Sequence, residues 1–399
     1  MSDTPAILAD AEHMRHADRE WLSLALMQVR NQTLAWLGLF ERHPEAVAPQ
    51  PDTFFEPALW LAGHAAWRQE RWIARNLQRG DGPVAETPRA PLASIEPHAD
   101  TWWSSEALAD RVRWTAASPS FEATRAYMAE SLDVTLDLLQ SAATDDDGLH
   151  VFRAALFDED AAQRRFVALA QAQHLRAATA LLPERRLHAL REPLMFAAQR
   201  WTLGSTRGGY VPANEQWAHD DAVPEFEIDA QVIVWAQYAE FVEDGGYDEP
   251  HWWSAAGWQW LQPTQRRSPR DVEQLRHGVL LQRFAQLQRA PAVEPATLLS
   301  RYEAEAWCQW AGRRLPTEIE WELAASRGAS RGFVWGQVPE WVAGWARAWP
   351  GGAAVADAPS GVQRGVAWFE PRRLAHPKAR RFVAAERDEG FAGFRSCAP

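Results

Sequence analysis

The stretch YEAEAWCQWAGRRLPTEIEWELAA (302–325) reads as two short helices joined at a proline. The first runs from Tyr302 to about Trp310. Pro316 closes the intervening turn, Thr317 is placed to N-cap the second helix, and Glu320 three residues later completes a capping box. Outward from this pair, from about residue 195 to the C-terminus, the pattern is short strand-like runs with frequent Gly and Pro, an irregular α+β texture. Indoles are dense here: 15 of the 23 Trp lie in this half and 8 before it, against only 5 Tyr in the whole chain.

The first 190 residues differ. Their apolar pattern is helical, with segments near 18–43, 57–79, 121–143 and 150–181, which predicts a four-helix bundle. In the second segment Trp60, His64, Trp67 and Arg71 fall on one helical stripe, so His64 points toward a core or a buried site. Residues 80–103 are long enough for a functional lid or a wrapping crossover.

At 399 residues the chain exceeds what one core usually organises, so two domains are expected, 1–190 and 195–399. With 47% hydrophobic and 24% charged residues it has an ordinary globular composition. A net charge of -12 has the wrong sign for a nucleic-acid partner. No signal-peptide core and no run of about 20 apolar residues is present, so a cytoplasmic protein with no membrane partner is expected. Cys308 and Cys397 are too few for a disulfide framework or a thiolate zinc site, which fits a reducing compartment.

WTLGS (201–205), Asn214-Glu215, PEFEIDAQVIVWAQYAEFVEDGGY (224–247), the two-helix stretch, FVWGQVPEW (333–341) and ERDEGFAGFRSCA (386–398) together resemble the formylglycine-generating-enzyme (sulfatase-modifying-factor) domain. That resemblance implies a C-type-lectin-like core. The first half resembles a DinB-type bundle, and the combination resembles the ergothioneine-biosynthesis sulfoxide synthases. GHAAWRQERWIARN (63–76) and EDGGYDEPHWWSAAGWQWLQ (243–262) are most similar to selenoneine synthases. The resemblance implies an oxygen-dependent non-haem Fe(II) enzyme that joins a thiol or selenosugar to the imidazole C2 of hercynine, a trimethylated histidine betaine. It also implies three histidine ligands, one on the second bundle helix and two at i and i+4 on the last.

The chain departs from that pattern. His64 matches the first ligand, but GLHVFRAALFDEDAAQRRF (148–166) places Asp158 and Ala162 at the other two. A second register, AQAQH (170–174), puts Ala170 and His174 there instead. The metal candidates are therefore His64 and Asp158, and retention of iron stays open. Arg364-Gly365-Val366-Ala367, Arg380-Arg381-Phe382 and Pro339 depart from the family's wording in loops expected to border the substrate cleft. Formylglycine generation itself is not expected, because it relies on a close cysteine pair.

Trp341 and Trp345, with Trp335, are candidates for an aromatic cage around a trimethylammonium group. The competing reading is that indoles fill the core of a domain poor in regular structure. Arg387 and Arg395 are candidate clamps for a substrate carboxylate, against salt bridges to Asp388 and Glu389. Two functions remain: the oxygen-dependent chalcogen–carbon synthase, and a metal-free paralogue that binds a betaine-type ligand or a partner protein.

Overall fold

A computed structural model describes residues 6–44, 55–87, 89–106, 113, 117–275, 277–352, 354–355 and 359–399. The chain forms two compact units. The first runs to Leu182 and takes in Gly208–Tyr210 and Glu370–Leu374. The second holds Pro183–Arg207, Val211–Phe369 and Ala375–Pro399.

In the first unit, α1 (Ala11–Arg15) precedes α2 (Arg19–Glu41), α3 (Ala58–Trp72), the short α4 (Ala99–Trp103), α5 (Phe121–Ser141) and α6 (Asp146–Ala172). Helices α2, α3, α5 and α6 pack as the four-helix bundle. Their starts are set locally. Side chains of Asp18, Ser120 and Asp145 accept from the N–H groups of Trp21, Ala123 and Gly148 at 3.1, 3.1 and 2.8 Å, satisfying donors a helix start leaves open. Trp36, Phe40, Phe152 and Phe166 fill the interior. A polar belt crosses it, in which Arg30 donates to both oxygens of Glu159 (2.9 and 3.0 Å) and to Gln69 (2.7 Å).

Two late segments belong to this unit for electrostatic reasons. Arg373 donates to both oxygens of the fully buried Asp160 at 2.5 and 2.7 Å, and the Gly209 N–H donates to Asp146 at 2.8 Å. The 80–103 segment is a wrapping crossover. Arg75 holds it by donating to the Leu92 carbonyl (2.7 Å) and to both Asp100 oxygens (2.7 and 2.8 Å), and Ser94 and Ile95 donate to Glu70.

In the second unit β1 (Leu194–Phe196), β2 (Gln199–Leu203), β3 (His219–Val223) and β4 (Phe226–Ile228) make two antiparallel ribbons, β1 with β4 and β2 with β3. Helices α7 (Trp235–Glu243) and α8 (Ala255–Thr264) follow, then the sheet of β5 (Val272–Gln274), β6 (Val279–Arg283) and β7 (Gln286–Ala290). The opening stretch of the sequence analysis gives α9 (Arg301–Trp310) and α10 (Glu318–Arg327). Strands β8 (Glu340–Trp345), β9 (Gly361–Arg364), β10 (Arg380–Val383) and β11 (Gly393–Phe394) form a four-stranded sheet in the order β10-β9-β8-β11. The Thr317–Glu320 capping box is in place, with the Thr317 N–H donating to Glu320 at 2.7 Å. Trp235, Trp307, Trp321 and Trp341 are buried, so the indole surplus is largely core filler. Among the described residues no helix is long and apolar enough to cross a membrane.

Within this core Glu303, fully buried on α9, accepts from Tyr247 Oη–H (2.6 Å), the Ser300 N–H (2.7 Å) and the Ser300 hydroxyl (2.8 Å). Burial first, and then the charge of Asp388, pushes its carboxyl from the ordinary 4.5 up to about 7. The folded state therefore holds a proton the unfolded state releases. The associated stability is complete below pH 4.5 and is lost as pH rises through about 7. Relative to Glu303→Gln, the native chain should lose about 3 kcal/mol of unfolding free energy between those pH values. Urea titrations of both proteins across the window test this, and a pH-independent difference would refute it.

Candidate functional site

Helix α3 carries the histidine that matches the first ligand position. Gly63 matters beside it: a Cβ there would overlap the Trp103 indole nitrogen, so only glycine lets that ring lie against the helix. Trp103 in turn fixes the imidazole, because its carbonyl accepts from His64 Nδ1–H at 2.7 Å. Trp60 stacks on the ring at 4.3 Å and Trp67 lies 5.6 Å away, the stripe that the helical spacing predicts.

Three guanidinium groups surround this stack. Arg113 lies over Trp60 at 3.8 Å, and Arg113 and Arg165 share Glu56 at 3.2 and 3.3 Å. Arg68, one turn beyond His64, lies 2.9 Å from Asp158 and over the Trp72 ring at 4.4 Å. Burial, reinforced by repulsion from Arg68, Arg165 and Arg113, lowers the His64 pKa to about 3 against the opposing pull of the Trp103 carbonyl. The imidazole is therefore neutral, with its Nδ1 proton committed and Nε2 carrying a lone pair, the form a metal ligand takes.

The other positions do not supply an Fe(II) site. Asp158, on α6, is half-buried; burial raises its pKa while Arg68 pulls it down. Its carboxylate faces a fixed cation. Ala162 has no donor atom. His174 stands beyond the end of α6, exposed and at φ 54. The Leu175 N–H donates to the Ala170 carbonyl across it, so His174 is the turn that stops the helix. The AQAQH register is thereby corrected. Among the described residues no group of three His, Cys, Asp or Glu side chains is placed to hold a metal ion. An open iron site needs three protein ligands, and the residues at this position do not fit one.

The expected substrate groups of the second unit are not gathered into one site. Trp341 is fully buried on β8 with its Nε1–H donating to the Leu299 carbonyl at 2.8 Å, so it lines no cleft. Trp345 is 48% exposed, but the Arg301 guanidinium lies over its ring at 4.4 Å. Trp335 packs edge-on against Trp321 at 5.5 Å. Arg395 is fully buried, donating to Glu340 at 2.5 and 2.8 Å and to the carbonyls of Asp229 and Val334 at 2.9 and 2.7 Å. It is a core ion pair and presents nothing to a substrate. Arg387 pairs with Glu389, while Asp388 is held by Arg266 and Arg270. The aromatic cage and the carboxylate clamp are thus corrected for Trp341 and Arg395 by burial. Reasoning from sequence missed Arg68, Arg113 and Arg165. Arg68 had a visible signal, since it follows His64 by one helical turn.

Residues 196–338 match the sulfatase-modifying factor enzyme 1-like domain. The chain is 32% identical over 332 residues to a hercynine oxygenase of Mycolicibacterium smegmatis, covering 80% of this chain and 72% of the relative. It is 30% identical over 326 residues to a hercynine oxygenase of Mycobacterium tuberculosis, covering 79% and 73%. A formylglycine-generating enzyme of Streptomyces coelicolor is 25% identical over 185 residues, covering 39% of this chain and 53% of the relative. With identity of this level spanning most of both chains, the protein belongs to the hercynine oxygenase family of ergothioneine-biosynthesis, sulfoxide-synthase-like proteins.

Proposed function

We propose that this chain is a hercynine-directed family member whose His64 position no longer holds iron, and that it binds a hercynine-like betaine rather than oxidising it there. The Arg68–Asp158 ion pair at 2.9 Å carries this reading. A guanidinium already neutralises the one anionic donor, and a divalent cation at that place would face three guanidinium groups beside one neutral imidazole.

Anaerobic loading with Fe(II) followed by metal analysis tests it, together with calorimetry using hercynine. The expected result is substoichiometric iron with measurable hercynine binding. The second reading is a synthase that uses Fe(II) and oxygen to join a thiol or a selenosugar to the imidazole C2. His64 favours it, because its neutral Nε2 and carbonyl-anchored Nδ1 are those of a ligand. Iron near one per chain, with product from hercynine and either donor, would replace the first reading by the second.

A further inference from the structure

The second unit contains a cavity of about 230 Å³ whose lining includes Asn214, Gln216, Arg347, Trp349, Arg380 and Phe382. Arg380 and Phe382 alternate on β10 and so share one face of the strand. Glycines bring the remaining wall close. At Gly204 (φ 89) a Cβ would lie 2.6 Å from the Trp349 ring, and at Gly352 it would overlap the Gln216 carbonyl oxygen.

Arg380 is already committed to the protein. It donates to Glu318 (2.9 Å) and to the carbonyls of Asn214 and Arg347 (3.1 and 3.3 Å), and it stacks on Trp349 at 4.0 Å. Two other donors are not committed. The Trp349 indole is 3% exposed, yet its Nε1–H has no hydrogen-bond partner among the described residues, and a buried donor left so is costly. Arg347 is exposed, and its guanidinium has no ion-pair partner among the described residues. Asn214 and Gln216 provide the opposite character. Each gives its NH2 to a backbone carbonyl, of Arg380 and of Val211 respectively, which leaves both amide oxygens as acceptors.

A guanidinium with an indole N–H suits a carboxylate, and two amide oxygens suit an ammonium. The volume lies below the roughly 300–1,000 Å³ of sites for drug-sized ligands, so nucleotides are too large. We propose that this cavity binds a free α-amino acid, the carboxylate held by Arg347 and Trp349 and the ammonium by Asn214 and Gln216. The site is independent of the His64 position, and its ligand differs from a betaine in having N–H groups to donate.

The test is calorimetric titration of the full chain with L-histidine and L-glutamate, with hercynine as the methylated control, and repetition in Arg347→Gln and Trp349→Phe. The readout is the binding heat that Arg347→Gln abolishes. At least one amino acid should bind with Kd below about 1 mM and weaken by about tenfold or more in each variant. Arg347→Gln, at an exposed position, should leave the unfolding midpoint unchanged, which keeps the test valid if Trp349→Phe destabilises the fold. No Arg347-dependent heat with either amino acid, or equal Arg347-dependent heat with hercynine, overturns the proposal.

Discussion

The paired substitution Asp158→His and Ala162→His, made alone, is expected to leave Fe(II) affinity weak, and adding Arg68→Ala is expected to raise it by about a hundredfold. The reason is charge. Two new imidazoles complete a three-histidine set in number, but Asp158→His also removes the carboxylate that neutralises Arg68. The freed guanidinium then repels the incoming dication. Unit charges 4 Å apart interact by about 4 kcal/mol at an effective dielectric of ~20. A long, one-third-exposed arginine escapes part of that by swinging into solvent, so about 3 kcal/mol is the expected share. Anaerobic equilibrium dialysis against Fe(II) measures both variants. Tight binding by the double variant would show that Arg68 is no obstacle, and failure of the triple variant would show that 158 and 162 are not the ligand register.

Arg395→Met should unfold the second unit more readily, by about 3–5 kcal/mol, because it strands the fully buried carboxylate of Glu340. Trp321 Nε1–H still donates to that carboxylate at 2.8 Å, but a single neutral donor does not replace a bidentate guanidinium. The companion variant Arg395→Met with Glu340→Leu removes both charges and should recover most of the loss. Urea denaturation of the two variants distinguishes this from a substrate clamp. A clamp would weaken ligand affinity while leaving the denaturation midpoint in place.

The architecture was legible because its signals are local. Helical periodicity placed the four bundle helices, and the Thr317–Glu320 box marked the start of α10 at the observed position. The position of His64 on a buried stripe was legible for the same reason. The last helix was read too long, to 181 instead of Ala172, since an apolar pattern continues past the left-handed turn at His174 that ends it.

What sequence could not supply was the partner of each charge. Arg395 and Arg387 lie in the same C-terminal motif, yet one is enclosed by Glu340 from β8 and the other pairs two residues away with Glu389. Nothing in their local sequence separates a core ion pair from a surface one. Trp341 and Trp345 illustrate the same limit on a single strand, where one indole is enclosed and the other is covered only by Arg301. Arg68 was within reach of helical spacing, but its pairing with Asp158 depends on how α3 meets α6.

The return of Arg373 to Asp160 also separates the order of synthesis from the order of folding. Domains commonly fold N-terminal first as the chain emerges. Here the α6 carboxylate is enclosed in a unit whose matching guanidinium is made more than two hundred residues later. Until then the nascent bundle carries either a solvent-exposed Asp160 or a protonated one. Its final closure therefore waits for nearly the whole polypeptide.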